Sequence, residues 1–307
     1  MFLSLVGVII GLALLIAGSN FLVDGGAGIA RKLGVSGHVI GITLVAAATS
    51  LPELATSVTA SFEGYPGLAV GNVVGSNAFN IGIVLGVAII IRSMRSTKLT
   101  VRDGWMVILS TILFGIFSIG TIGRIESLVL LGVYVFYVGY LFRTSKPTIK
   151  TDMNGIPSGR TIRLLVITAL GIALLFIGSP LLVRSSVALA GDLGVRNSLI
   201  GLSLVAAGTS LPELLTSIVA AIKHQKGIAV GNILGSNIFN ILLIIGLSGL
   251  VEPIRMGGLM NPGVIPGMIL ITVLGILISR RKMGDLQGII LIFAYVLFFI
   301  LMLPFAW

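Results

Sequence analysis

An all-α integral membrane fold is what this sequence predicts: ten spanning helices arranged as two inverted five-helix repeats. Three observations carry that expectation. The chain is too apolar to face water, its basic residues alternate between the two ends of ten apolar segments, and its halves carry the same polar motifs 160 residues apart.

Of 307 residues, 56% are apolar and only 10% charged, with a mean hydropathy of +1.14. Soluble domains carry roughly 25% charged residues. A larger core cannot repair that deficit, because a water-facing surface needs charge somewhere, so the chain faces lipid over most of its area. The absence of cysteine excludes disulfides, thiolate metal sites and cysteine nucleophiles. His38 and His224 are the only histidines and fall near segment ends, which leaves no basis for a zinc site. The N-terminal run MFLSLVGVIIGLALLIAGSNF has no basic residue ahead of it and reads as a first span rather than a cleaved signal. The net charge of +10 fits the basic loops of a membrane protein and calls for no nucleic-acid partner.

A spanning helix needs about 20 mostly apolar residues. Ten segments qualify: 3–24, 37–61, 67–91, 103–123, 125–142, 162–190, 197–222, 227–250, 259–279 and 286–304. None alternates with period two, which argues against a transmembrane barrel. Sixteen of the twenty Lys and Arg residues fall on one side of these spans, and Arg124, Arg184, Arg196 and Arg255 on the other. The positive-inside rule then puts both termini outside and the 143–161 linker in the cytoplasm of a multi-pass plasma-membrane protein. The expected organisation is a first five-helix repeat over 1–142, the polar linker, and a second, inverted repeat over 162–307.

The repeat is explicit. GITLVAAATSLPELATSVTA (41–60) and GLSLVAAGTSLPELLTSIVA (201–220) match at fourteen of twenty positions, and VGNVVGSNAFNIG (70–82) and VGNILGSNIFNIL (230–242) at nine of thirteen. Apolar composition does not account for shared prolines and polar residues in gapless register. Five spans is an odd number, so the second copy enters the membrane from the opposite side, an architecture of secondary transporters.

Ten acidic residues occur, and eight lie at or near expected span ends: Asp24, Glu63, Asp103, Glu126, Asp152, Asp192, Glu252 and Asp285. Glu53 and Glu213 alone sit deep within spans, where a charge costs about 2.5–3.5 kcal/mol on insertion scales. With no Lys or Arg in their motifs, they call for a cationic counterpart; the plainer alternative is a protonated or water-bridged pair that only joins helices. In T-S-L-P-E, Thr49 and Ser50 precede Glu53 by four and three residues, as Thr209 and Ser210 precede Glu213, so their oxygens share a helical face. Pro52 and Pro212 predict breaks near Ala48 and Gly208 that free carbonyls around 46–49 and 206–209. The second motif, G-N-x-x-G-S-N-x-F-N, adds Asn72, Ser76, Asn77 and Asn80, then Asn232, Ser236, Asn237 and Asn240. Taken alone, these asparagines read as readily as interhelical hydrogen-bonders. Together the donors are all oxygen, which suits hard cations such as Ca²⁺ and Na⁺ and disfavours soft transition metals.

These motifs, A-T-S-L-P-E-L-A-T-S with G-N-V-V-G-S-N-A-F-N and G-T-S-L-P-E-L-L-T-S with G-N-I-L-G-S-N-I-F-N, closely resemble the paired alpha-repeats of sodium/calcium exchangers, in particular the prokaryotic members of the calcium/cation antiporter superfamily. The resemblance implies Glu53 and Glu213 as the main Ca²⁺ carboxylates, assisted by Thr49 and Thr209. It implies Na⁺ sites using Ser50, Ser76, Ser210 and Ser236, with carbonyls at Ala46 and Ala206, and places Asn80 and Asn240 among the ligands. One departure stands out: some prokaryotic members carry aspartate at the position of Asn240, so this site has two formal negative charges where theirs has three. A transporter, not an enzyme, follows, with Ca²⁺ and Na⁺ as substrates, no cofactor and no obligatory protein partner.

Charge arithmetic then predicts antiport. Two carboxylates balance one Ca²⁺ or two Na⁺, so the loads compete for one site, and an empty site is costly to move. Ca²⁺/H⁺ exchange is the nearest alternative, because a proton also discharges a carboxylate. A cation channel, and an intramembrane hydrolase using the two glutamates as acid and base, are the more distant ones.

Overall fold

The protein's structure is a computed structural model that describes residues 1–95, 97–145, 161–192, 206–256, 263–279 and 282–302. Most of the 143–161 linker, the starts of the expected 197–222 and 259–279 spans and the end of the expected 286–304 span lie outside the described residues, as do Lys146, Lys150, Arg160, Arg196, Arg280 and Arg281. In chain order the helices are α1 (Phe2–Leu33), α2 (Gly37–Thr49), α3 (Leu51–Phe62), α4 (Pro66–Ile91), α5 (Lys98–Phe117) and α6 (Arg124–Thr144). They continue as α7 (Thr161–Asp192), the single turn α8 (Ala206–Thr209), α9 (Leu211–Ile222), α10 (Lys226–Val251), α11 (Val264–Ser279) and α12 (Asp285–Met302). Among the described residues, six helices are long and apolar enough to cross a membrane: α1, α4, α5, α6, α7 and α10. The pair α2 and α3 qualifies together and is bent by 50°, while α9, α11 and α12 are apolar but shorter. The fold is all-α, as the period and composition predict.

Element ends follow local chemistry. α1 runs past its expected end at residue 24 to Leu33, where Gly34 adopts φ +68° and stops it; a left-handed residue after the last turn is the usual helix terminator. α5 begins at Lys98 rather than 103, because Thr97 Oγ1 accepts the Thr100 amide at 3.1 Å and caps it, satisfying a donor that would otherwise be orphaned. The duplicated turns match atom for atom. Tyr65 N–H reaches Ala60 O, and Gln225 N–H reaches Ala220 O, both at 2.8 Å. The left-handed residue between them is Gly64 in one copy and His224 in the other, at φ +83° and +62°.

The chain forms two compact units. The first comprises Met1–Pro52 and Ser145–Asn232, the second Glu53–Thr144 and Ile233–Trp307, so each draws on both halves of the sequence. In the first, α1 packs against α7 through glycines. A Cβ on Gly171 would lie 2.7 Å from Leu22 N, and one on Gly11 would lie 2.8 Å from Leu182 N. Gly11 and Gly171 are equivalent positions of the repeat, and such small residues let membrane helices approach backbone to backbone. Lys223 Nζ also bonds Asp24 Oδ1 at 2.7 Å, tying α9 to α1. We expect Gly171→Val to destabilise the protein by about 1–3 kcal/mol through overpacking, read as a lower melting temperature in detergent. Gly132→Ala on α6, where nothing lies within 4 Å of the added Cβ, serves as the silent control.

In the second unit, two short antiparallel clips link the sequence halves. β1 (Met94–Arg95) pairs with β4 (Lys282–Met283), and β2 (Thr121–Ile122) with β3 (Ile254–Arg255). One expectation is corrected here. Asp103 was expected among the acids at or near span ends, where water is at hand, but it is fully buried. Because α5 starts five residues early, Asp103 enters the packed part of the helix, and it is held by Arg102 at 2.5 Å and 3.0 Å.

Candidate functional site

The break at each T-S-L-P-E falls at the serine. Ser50 (φ −87°, ψ 9°) and Ser210 (φ −89°, ψ 5°) each separate a short helical segment from the helix that begins with Leu-Pro-Glu. Proline lacks an N–H and crowds the preceding turn, so it sits at the second position of a new helix, and the carboxylate follows in that helix's first turn. That end of a helix carries the positive pole of its dipole and favours negative charge. The carbonyl that loses its partner to Pro212 is that of Gly208, and Ser179 Oγ of α7 donates to it at 3.4 Å. The Ala46 carbonyl is not idle either: Ser50 N–H donates to it at 3.0 Å and Thr49 Oγ1 lies 3.2 Å away.

Glu53 and Glu213 are both fully buried, as are Ser50, Ser76, Ser210, Ser236, Asn80, Asn240, Thr49 and Ala46, and Thr209 is nearly so. Ala206 opens α8, with its side chain outside what is described. Each compact unit assembles part of this set across the repeats. In the first, Ser50 Oγ donates to Glu213 Oε1 at 2.7 Å, and Thr49 Oγ1 donates to Asn232 Oδ1 at 3.0 Å. A serine of one copy thus orients the carboxylate of the other. In the second unit, Asn240 Nδ2 donates to Asn77 Oδ1 at 3.0 Å, and Asn77 Nδ2 donates to the Asn237 carbonyl at 3.3 Å.

Ser57 and Ser217, which lie outside the donor set expected from the motifs, join this arrangement through Asn72 and Asn232. Asn72 Nδ2 reaches the Glu53 carbonyl at 3.4 Å and Ser57 Oγ at 2.9 Å; Asn232 Nδ2 reaches the Glu213 carbonyl at 3.3 Å and Ser217 Oγ at 3.0 Å. These brackets pin each glutamate's helix to the helix of the second motif, identically in both copies. Their signal was in the sequence: Ser57 and Ser217 stand four residues beyond the glutamates, on the same helical face.

Both second-motif helices widen to π geometry at the asparagine, over Asn80–Val84 and Asn240–Ile245. π segments within α-helices are rare and cluster at functional sites. Among the described residues, the buried Ser76 Oγ, Asn80 Oδ1 and Nδ2, Asn237 Oδ1 and Asn240 Oδ1 take no hydrogen bond. A buried polar atom left unmatched costs about 1–3 kcal/mol, and several of them, mostly oxygens, on two adjoining helical segments are chemically suited to a ligand that accepts lone pairs. Among the described residues, no three His, Cys, Asp or Glu side chains are grouped so that they could hold a metal ion. The donors that the two motifs bring are neutral oxygens and carboxylates, a set that suits a hard cation.

Comparison with known proteins follows the same line. The model of the sodium/calcium exchanger protein family matches residues 3–143 and 163–303, one match for each half. The sodium/calcium exchanger MaX1 of Methanosarcina acetivorans is 34% identical, over 96% of this chain and 97% of that protein. The inner membrane protein YrbG of Escherichia coli is 30% identical over 92% and 90%. A solved structure of the sodium-calcium exchanger NCX_Mj, soaked with Na⁺ and Ca²⁺, superposes with a TM-score of 0.86 at 31% identity, covering 97% of each chain. The family is one of membrane transporters rather than enzymes. With both halves matched by its model and a near full-length relative at 34% identity, this chain belongs to the sodium/calcium exchanger family.

Proposed function

We propose that this protein exchanges Ca²⁺ for Na⁺ across the plasma membrane by alternating access, with the cation held at mid-membrane by Glu53 and Glu213. The observation that carries this reading is the store of buried oxygen atoms without a protein partner among the described residues at Ser76, Asn80 and Asn240, on π-widened helices, in a chain whose two motif glutamates are also fully buried. Glu53 and Glu213 act as the main Ca²⁺ ligands with Thr49 and Thr209. Ser50, Ser76, Ser210 and Ser236, the carbonyls of Ala46 and Ala206, and the amides of Asn80 and Asn240 complete the cation sites. Members named as sodium/calcium exchangers, MaX1 and NCX_Mj, favour these two ions as substrates.

In this reading the six long helices, the bent pair and the three shorter apolar helices make ten crossings, five in repeat 1–142 and five in the inverted repeat 162–307. Both termini then lie outside, and the 143–161 linker lies in the cytoplasm with most of the basic residues. Competition for two carboxylates couples the fluxes: one Ca²⁺ or two Na⁺ neutralises them, and the unloaded site resists reorientation because buried negative charge without a counter-cation is costly. Ca²⁺ uptake into proteoliposomes separates this from proton exchange. A Na⁺ gradient at uniform pH is expected to drive accumulation, and uptake on a pH gradient in Na⁺-free buffer would instead establish the Ca²⁺/H⁺ alternative.

A further inference from the structure

The hydrogen bonds among Asn77, Asn237 and Asn240 have a direction that geometry alone dictates. An amide side chain carries a donor end and an acceptor end of nearly equal size, so its orientation is decided by its partners. A main-chain carbonyl only accepts. The Asn237 carbonyl, 3.3 Å from the Asn77 amide, therefore requires Nδ2 of Asn77 on that side. Oδ1 of Asn77 is then turned to Asn240, 3.0 Å away, where only a donor fits, so Asn240 presents Nδ2 to Asn77. Its Oδ1 is left over, buried and with no protein partner among the described residues.

The repeat supplies an internal control. Asn80 occupies the position of Asn240, and Asn237 that of Asn77. Asn237 Nδ2, however, donates to the Ile233 carbonyl in its own helix at 2.7 Å. Asn80 gains no holding bond from it, and both ends of the Asn80 amide are without a partner among the described residues. One asparagine of the pair is fixed as an oxygen donor; the other is free to turn.

We propose that Asn77 is a positioning residue of the transport site: it commits the Asn240 amide to its oxygen-out orientation and so makes Asn240, but not Asn80, a preorganised neutral ligand for the cation. This rests on the cation-site reading given under Proposed function. An amide turned the other way would aim a partly positive NH₂ at the ion, so the clamp converts an ambidextrous group into a selective one. Removing an orienting residue behind a metal ligand typically costs 10–100-fold in affinity, and the same range is expected here, borne entirely through Asn240.

The test is isothermal titration of the purified full chain with Ca²⁺, with and without Na⁺, for wild type, Asn77→Leu, Asn240→Ala and the double variant, each checked by thermal melting. Asn77→Leu is expected to weaken Ca²⁺ binding about 10–100-fold. The double variant is expected to bind within about twofold of Asn240→Ala alone, since residues acting through one another are not additive. In proteoliposomes the loss appears in the KM for Ca²⁺ with kcat preserved. Asn77→Ser replaces Asn77→Leu if the latter does not fold, with the same expectation, because serine is too short to span both partners. Affinity within twofold of wild type, a pure loss of melting temperature, or losses that add in the double variant would each overturn the role of Asn77. If Asn240→Ala and Glu213→Gln both leave Ca²⁺ binding intact, it is the cation-site reading that fails, not this refinement of it.

Discussion

Glu213→Gln is expected to abolish Na⁺-driven Ca²⁺ uptake in proteoliposomes and to lower Ca²⁺ affinity at least 100-fold, while the protein remains folded. The substitution keeps the shape and the oxygen that accepts from Ser50 at 2.7 Å but removes the charge. A carboxylate oxygen about 2.5 Å from Ca²⁺ contributes roughly 13 kcal/mol of attraction for the divalent ion at an effective dielectric of about 20. Dehydration of the ion and of the carboxylate offsets most of this, and 100-fold, or about 2.7 kcal/mol, is a conservative remainder. Folding is expected to survive because the neutral amide is cheaper to bury than the carboxylate it replaces. Glu53→Gln is expected to behave in the same way, since Glu53 is equally buried and occupies the equivalent position. Wild-type uptake by either variant would remove its carboxylate from the transport site.

Arg102→Ala is expected to give the largest loss of stability among changes away from the transport site, about 3–5 kcal/mol, measured as thermal unfolding in detergent with ion affinity followed in parallel. Asp103 is fully buried, and its carboxylate is held by Arg102 Nε at 2.5 Å and Nη2 at 3.0 Å. The guanidinium also lies over the Tyr140 ring, 5.5 Å from its centroid, which fastens the start of α5 to the end of α6. Taking away the cation leaves the buried Asp103 carboxylate without its guanidinium counter-charge, and that is costlier than never having buried the pair. Arg102→Ala/Asp103→Asn, which removes both charges, is expected to recover most of the loss. A double variant no more stable than the single one would show that the arginine works by packing alone. Ca²⁺ affinity is expected to stay near wild type in both, which separates this internally compensated acid from Glu53 and Glu213.

The amino-acid sequence by itself determined the membrane character of the chain, its duplication, its family and the polar residues that its two motifs carry. Each of these depends on neighbours along the chain: hydropathy over a span, a proline before a carboxylate, four-residue spacing on one helical face. It also located the breaks near the two prolines and the pairing of Ser50 and Ser76 with their counterparts 160 residues on. Asp103 shows where that kind of evidence stops. Its neighbours mark it as a span-end acid, and only the Thr97 cap and the packing of α5 bring it inside with Arg102.

What the tertiary structure alone decided is which donors meet across the repeats and which way they face. Ser50 reaches Glu213 and Asn77 reaches Asn240 over 163 residues of sequence in each case. No local pattern encodes such a contact, because it depends on where two helices cross and on which rotamer survives there. Asn77 and Asn237 are the same residue in the same motif, yet one turns to the other repeat and the other to its own helix. Identical side chains are equal in sequence and unequal in a packed interior, where each hydrogen bond settles the direction of the next.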